Sequence, residues 1–395
     1  MPFGVYVHIP FCATRCDYCD FATWTDRAAL IDDYVDACAV DLRRQIAGGG
    51  VADATSVFFG GGTPSLLPSD RLVAILAEVP RTADAEVTVE CNPDSVDADK
   101  LAAYRAAGVT RLSFGVQSMR PHVLAALGRT HDPANVTRAV ALARDAGFST
   151  FNLDLIYGTP GESLDDWRAT LAETLDLEPP HVSAYALTVE PATQLGRDVA
   201  AGAPSPDDDD QAEKYEIADE MLGAAGLGWY EVSNWARDGH ECRHNLLHWS
   251  SGDYLPIGCA AHGHRAGRRW WNVRTPERYI AMIAAGDDPT GGREDLDDAM
   301  RVEERLTLAI RTRTGAILPP SMPTAMKTEV ARLVDAGLLV RHGDQPGDRP
   351  GDRPGDRVVL TRRGRLLATD VTARLLVAAG AEPERHGSTA GTRYD

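Results

Sequence analysis

Three of the seven cysteines in this chain, Cys12, Cys16 and Cys19, fall in one short stretch near the N-terminus. Their spacing supplies three thiolates and no fourth. A 4Fe–4S cube has four irons, so three cysteines leave one iron open to an exchangeable ligand. Structural zinc takes four closed ligands, and His8 as the fourth would sit on a strand expected to point it elsewhere. Tyr18 and Phe21 flank the thiols and would shield a cluster from water. The spacing points to an iron–sulfur cluster, with zinc, redox thiols and unliganded cysteines as the alternatives. An odd, clustered set of cysteines reads as metal ligation in a reducing compartment rather than as disulfides.

Other chemistry-bearing residues follow short apolar runs. Gly60-Gly61-Gly62-Thr63 can bring backbone N–H and C=O groups close to a ligand, or can simply form a tight strand-to-helix turn. Glu90 and Asp154 are acceptors suited to ribose hydroxyls or an ammonium group. Gln117 can donate and accept, and Arg129 can clamp a carboxylate. Taken singly, each of these is an ordinary solvated or salt-bridged residue.

The elements that must position them are strands alternating with helices. Strands are expected at Gly4–Ile9, Ser56–Phe59, Glu86–Glu90, Arg111–Gly115, Phe151–Ile156 and Val182–Leu187. Leu30, Tyr34, Cys38, Leu42 and Ile46 recur every four residues, and further helices are expected at Asp70–Leu76, Ala98–Ala107, Ala134–Ala146 and Leu164–Leu175. Six such units predict an α/β fold: a parallel sheet curled into a partial (β/α)6 barrel. Polar residues at the C-terminal ends of its strands then share one face, where such barrels place their sites. The expected division is a barrel over 1–200, a barrel extension over 201–295, a helical or winged-helix-like domain over 296–385, and a tail over 386–395. The Pro-Gly-Asp-Arg repeat at 346–357 is expected to be a disordered hairpin extension.

Composition limits the function. The chain has 395 residues with 44% hydrophobic and 25% charged, the mix of a globular protein. Lys plus Arg is 40 and Asp plus Glu is 58, and the net charge of −18 speaks against general nucleic-acid binding. No apolar run reaches the eighteen or so residues of a membrane span, and the N-terminus lacks the pattern of a signal peptide, so a cytoplasmic location is expected.

The CxxxCxxC spacing after the first strand, with Gly-Gly-Gly-Thr-Pro after the second, resembles the radical S-adenosylmethionine (SAM) superfamily. The stretch Tyr6-Val-His-Ile-Pro-Phe-Cys12 is similar to one branch of it, the oxygen-independent coproporphyrinogen III oxidases and the related heme chaperones. That resemblance runs through Glu90-Cys-Asn-Pro, Phe114-Gly-Val-Gln117-Ser, Leu127-Gly-Arg129-x-His131 and Asn152-x-Asp154-Leu-Ile-Tyr-Gly-x-Pro160, and covers nearly the whole chain. It implies a 4Fe–4S cluster on Cys12, Cys16 and Cys19, with SAM at the open iron. It also implies cluster or SAM contacts from Tyr6, Tyr18, Gly61, Gly62, Thr63, Glu90, Gln117, Arg129 and Asp154, and an adenine contact near Ala186.

Two functions remain open within this branch. The decarboxylases resemble CxxxCxxCxC, whereas this chain has Phe21 at the fourth cysteine position and a shorter segment before the first cysteine. Both departures favour a heme chaperone. The chaperone signature is similar to HNxxYW, and here the chain reads His244-Asn-Leu-Leu-His248-Trp249. Imidazole is a common axial ligand of heme iron, and Trp249 could flank the macrocycle. His248 stands where the group has tyrosine, as a second ligand or as a polar aromatic substitute. His244 could equally be a hydrogen-bonded structural histidine, and Cys242 and Cys259 are nearby thiols that could reach iron or pack as small hydrophobes. The chaperone reading implies heme as ligand and a heme-accepting protein as partner, such as a respiratory enzyme, with peripheral membrane association through it. The alternative is the oxidative decarboxylation of coproporphyrinogen III.

Overall fold

The structure is a computed structural model that describes residues 2–49, 51–318, 322–341 and 357–380. Its first part alternates β1 (Phe3–Ile9), α1 (Ile31–Ala47), β2 (Ala54–Gly61), α2 (Ser69–Glu78), β3 (Arg81–Cys91), α3 (Ala98–Ala106) and β4 (Arg111–Gln117). There follow α4 (Pro121–Ala126), α5 (Pro133–Asp145), β5 (Phe151–Tyr157), α6 (Leu164–Asp176), β6 (His181–Ala186), α7 (Gln194–Ala200) and α8 (Asp208–Ala224). Short elements come next: β7 (Gly228–Glu231), β8 (Asn234–Ala236), α9 (Arg243–Trp249), β9 (Asp253–Ile257), β10 (His262–Arg265), β11 (Arg268–Asn272), α10 (Pro276–Ala285) and β12 (Thr290–Asp295). The C-terminal part holds α11 (Asp298–Ala309), β13 (Ala316–Ile317), α12 (Thr324–Asp335), β14 (Leu339–Arg341), β15 (Arg357–Leu360), α13 (Arg362–Leu366) and α14 (Ala368–Ala379).

Strands β1 to β6 lie side by side in chain order and run parallel, each joined to the next through a helix. The barrel stays open, because β1 passes its free edge to β9 and β6 passes its own to β8. The result is one twelve-stranded sheet in the order β12-β11-β10-β9-β1-β2-β3-β4-β5-β6-β8-β7. A strand turns successive side chains to opposite faces. Val5, Val7 and Ile9 of β1, Val57 and Phe59 of β2, and Leu112 and Phe114 of β4 therefore form one buried layer with Tyr34, Cys38 and Leu42 of α1. The alternate residues line the inside of the barrel.

The junction of β1 with β9 depends on one hydroxyl. Tyr34 Oη donates to the His8 carbonyl at 2.8 Å and accepts from the Cys259 backbone N–H at 2.9 Å. Gly258 makes this possible: its φ is +96°, and a Cβ there would lie 2.3 Å from that oxygen. This gives the glycine-rich segment Tyr254–Gly263 a structural reason for its composition.

The C-terminal part has a separate core that includes Ile310, Met326, Val330, Leu333, Val371 and Leu375, packed on the antiparallel sheet β13-β15-β14. This is the helical, winged-helix-like part. Arg365 ties it to α8, donating to both carboxylate oxygens of Asp219 at 2.7 and 2.8 Å while lying 4.5 Å over the Trp229 ring. The Pro-Gly-Asp-Arg repeat, apart from Arg357, and the tail from 386 lie outside the described residues. No helix among the described residues is long and apolar enough to cross a membrane.

Replacing Tyr34 by Phe leaves the buried Cys259 N–H without its acceptor. The expected cost is about 1–3 kcal/mol, read as a lower urea midpoint with an unchanged slope.

Candidate functional site

The strand register places the inward residues in layers. Tyr6, Phe58, Thr88 and Arg111 lie at one level, and Glu90, Ser113, Asn152 and His181 lie one step nearer the C-terminal ends. Above them Gly115, Asp154 and Ser183 share a level. The cysteine loop sits over this mouth. Cys12 N–H donates to the Trp24 carbonyl at 3.0 Å and Asp17 N–H to that of Leu127 at 3.2 Å, which fixes the loop at both ends. Gly62 packs beneath it so closely that a Cβ would lie 2.8 Å from the Ile9 and Phe11 carbonyl oxygens and 3.0 Å from Cys12 Sγ.

Cys12, Cys16 and Cys19 are half-buried free thiols. Thr63 Oγ1 lies 3.7 Å from Cys12 Sγ, and Arg129 Nη1 lies 3.4 Å from Cys16 Sγ. Arg129 also donates to the Gly115 carbonyl at 2.8 Å, so it spans the fourth strand and the cysteine loop. Burial pushes Cys12 and Cys19 upward, the latter to about 11, and the neighbouring thiols add to it. Among the described residues no three His, Cys, Asp or Glu groups are placed to hold a metal ion. A cluster binds each thiolate at a different iron, whereas a single ion needs its ligands to meet at one point. Three soft thiolates, with Arg129 Nη1 beside Cys16, are a donor set that fits a 4Fe–4S cluster.

Tyr18 packs partly buried against Val123, Leu127, Ile156 and Leu187, next to Cys16. Gln117 ends β4 at φ +64°. Ala186 pairs with Tyr157 and is exposed at the end of β6.

Two half-buried carboxyl groups face each other across the mouth. Glu90 accepts from the Gly61 N–H at 3.1 Å, and burial, with Asp154 adding repulsion, pushes its pKa up to about 8. Asp154 accepts from Ser113 Oγ and from Asn152 Nδ2, both at 2.7 Å; burial raises its pKa while these hydrogen bonds oppose the rise. Without a bound cation, the mouth favours a protonated Glu90 at neutral pH. An ammonium or ribose hydroxyl arriving there would meet acceptors already in position.

His244 lies at the opposite end of the barrel from the cysteine loop. Glu86 of β3 caps α9, accepting from the Arg243 and His244 N–H groups at 3.0 and 3.1 Å. This holds the His244 ring inside the barrel floor, stacked at 5.2 Å on Phe58 and at 6.4 Å on Tyr6. Its Nδ1 lies 3.0 Å from Ser56 Oγ, while Nε2 is buried with no hydrogen-bond partner among the described residues. The His248 ring is 4.9 Å from His244 and 4.2 Å from Tyr254. Burial holds both imidazoles neutral, His248 with a pKa of about 4. Cys242 and Cys259 are both buried and point at other partners: Cys242 Sγ is 3.6 Å from Glu86, and Cys259 Sγ is 3.5 Å from Tyr34 Oη.

The mouth thus gathers Cys12, Cys16, Cys19, Tyr18, Gly61, Gly62, Thr63, Glu90, Gln117, Arg129 and Asp154. Tyr6 lies between the two ends, its hydroxyl 3.2 Å from His8 Nδ1, and His244 is not brought to the cysteines. Sequence reading missed Arg111, Ser113, His181, Ser183 and Tyr230, which fill the barrel interior with hydrogen bonds. The parity of each strand was the available signal, since Ser113, Asn152, Asp154 and Ser183 each stand between two apolar residues that face the helices.

The radical SAM superfamily profile matches residues 6–173. The chain is 45% identical over 385 residues to "Heme chaperone HemW" of Mycobacterium tuberculosis (strain ATCC 25618 / H37Rv), covering 95% of each chain. It is 42% identical to "Heme chaperone HemW" of Escherichia coli (strain K12), covering 66% of this chain and 70% of that one. The solved structure of coproporphyrinogen III oxidase (HemN) from Escherichia coli, a radical SAM enzyme, superposes with a TM-score of 0.80 at 22% identity, over 95% of this chain and 90% of that one. The chain belongs to the radical SAM superfamily and, within it, to the HemW family.

A group whose pKa rises on folding makes stability fall as pH climbs from its unfolded value toward its folded one. Glu90 does this between about 4.5 and about 8. Glu90→Gln keeps an acceptor for Gly61 and removes the titration. The variant without cofactors is expected to be more stable at pH 7 by up to about 3 kcal/mol, with a flatter pH profile in urea melts.

Proposed function

We propose that this chain is a heme chaperone: it binds heme through His244 and passes it to an acceptor protein. The observation that carries this reading is the 45% identity to a protein named as a heme chaperone, across 95% of both chains. Phe21, at the position of the decarboxylases' fourth cysteine, supports the same side. The likeness to the coproporphyrinogen oxidase rests on fold alone.

In this reading Cys12, Cys16 and Cys19 hold a 4Fe–4S cluster, and SAM occupies the open iron. When bound, the pair supplies a source of one-electron chemistry. The chain's own residues do the positioning. Gly61, Gly62 and Thr63 offer backbone and hydroxyl groups to the ligand, and Glu90 and Asp154 accept from its ammonium or ribose. Gln117 and Arg129 close the other side, and Tyr6, Tyr18 and the Ala186 backbone shape the walls.

Heme is the cargo. With Nδ1–H donated to Ser56, His244 keeps the Nε2 lone pair for iron, as a ligating imidazole does when its other ring nitrogen is hydrogen-bonded. Because that atom is buried beneath α9, loading heme requires α9 to move off the barrel floor. His248, whose ring lies 4.9 Å from that of His244, would be the lesser ligand. The acceptor, a heme-requiring respiratory protein reached at the acidic or C-terminal surface, would bring a cytoplasmic chain to a membrane. The barrel over 1–200, its extension over 201–295 and the part from 296 to 385 divide these tasks.

Heme titration of the full chain, followed in the Soret band, tests the cargo site. His244→Ala is expected to weaken binding at least tenfold, and His248→Ala by less. Equal, unchanged titrations in both variants would move the heme site elsewhere. In parallel, Cys16→Ala should lose bound iron and sulfide while keeping a folded barrel; full retention would end the cluster assignment.

A further inference from the structure

The two ends of the barrel are joined by one run of hydrogen bonds. The Cys242 N–H, at the N-cap of α9, lies 3.3 Å from Tyr230 Oη. Tyr230 Oη lies 2.8 Å from His181 Nε2, and His181 Nδ1 lies 2.6 Å from Asn152 Oδ1. Asn152 Nδ2 then reaches Asp154 Oδ1 at 2.7 Å. All five residues lie in the barrel interior or its floor, and Asn152, His181, Tyr230 and Cys242 are each at most 3% exposed.

The direction of every proton follows from the ends. A carboxylate only accepts, so the amide edge facing Asp154 is the NH2 of Asn152. The two protons of this NH2 serve three acceptors, Asp154 Oδ1, Ser113 Oγ and Ser183 Oγ; Ser113 hands its own proton to Asp154, so the direct and the relayed route end on the same carboxylate, while Ser183 donates to Asn234 Oδ1. Asn152 Oδ1 therefore faces His181 and takes the proton on Nδ1. The neutral imidazole is left with a lone pair on Nε2, which accepts from the Tyr230 hydroxyl. Tyr230 oxygen in turn accepts from Cys242 N–H. Every donor points the same way, from the N-cap of α9 to Asp154. Such aligned chains polarise one another, and breaking one link weakens the rest.

We propose that His181 and Tyr230 are positioning residues that couple occupancy of the Asp154 face by SAM to the seating of α9, the helix that carries His244. The inference rests on the reading of Asp154 as a SAM contact. A ligand that draws on Asp154 changes what Asn152 can donate to, and the change reaches the N-cap of α9 without any direct contact. Coupling of this kind is reciprocal: what loosens α9 also changes the affinity for SAM.

The test uses the full chain with its cluster reconstituted anaerobically. Amide hydrogen exchange of residues 243–250 is followed with and without saturating SAM, with SAM binding itself measured by calorimetry. The expected result is a SAM-dependent change of at least about fivefold in the exchange of α9, the lower end of ordinary site-to-site coupling. Tyr230→Phe, which removes one hydroxyl and keeps the ring, should still bind SAM but reduce that change to less than twofold. His181→Leu should do the same and serves where the first variant folds poorly. No change in α9 at saturating SAM, or the same change in both variants as in the unaltered chain, overturns the proposal. Absence of SAM binding in the calorimetry would overturn the reading of Asp154 as a SAM contact and the proposal with it, whereas SAM binding without a change in α9 overturns the proposal alone.

Discussion

The period of the β-strand governs this molecule. Each of the six parallel strands gives one face to the helices and the other to the barrel interior, so a shift of one residue would exchange Val7 for His8 or Val89 for Glu90. The apolar set is large and wholly buried, which fixes the register strongly. The polar set is carried along with it. Glu90, Asp154, Asn152, His181 and Arg111 are inward because their neighbours must be outward under the helices. Hydrogen bonds among Asn152, Asp154 and His181 and backbone partners for Glu90 and Arg111 offset part of their burial, and that burial still pushes the pKa of Glu90 upward.

That constraint separates the barrel into two chemically different ends. The mouth has thiols, backbone groups of a glycine turn, a guanidinium and two carboxyl groups, a set suited to a charged, hydroxylated ligand. The floor packs Tyr6, Phe58, His244, His248 and Tyr254 ring against ring, some stacked and some edge-on or tilted, with an imidazole nitrogen lacking a partner among the described residues. A flat apolar macrocycle with a metal centre is the ligand such a floor suits, once α9 gives way. Glu86 both caps α9 and orients His244, so the same carboxylate that stabilises the helix holds the imidazole in the floor.

Much of this was legible in the sequence, for identifiable reasons. The six strands were marked by apolar runs, and α1 by its four-residue recurrence; the structure moves their ends by a few residues, most at β3, which starts at Arg81 rather than Glu86. The cysteine spacing and the residues after each strand were legible because their partners are near in sequence or share one barrel end. The segment from 234 to 272 was opaque because its elements are three to seven residues long, too short to show a period. The floor was hidden for a topological reason: β9 inserts beside β1, and nothing local in the sequence says so. Likewise His181 and Tyr230 are single polar residues whose partners lie far along the chain.

The fold is shared with a coproporphyrinogen III oxidase, so what distinguishes the proposed function is that this barrel carries heme rather than consuming a porphyrinogen. The direct measurement is made on anaerobically reconstituted protein given SAM, a reductant and coproporphyrinogen III, with the same preparation titrated with heme. The account predicts no protoporphyrinogen and a single saturable heme site. Formation of protoporphyrinogen at a catalytic rate would contradict it and make the chain a decarboxylase despite Phe21.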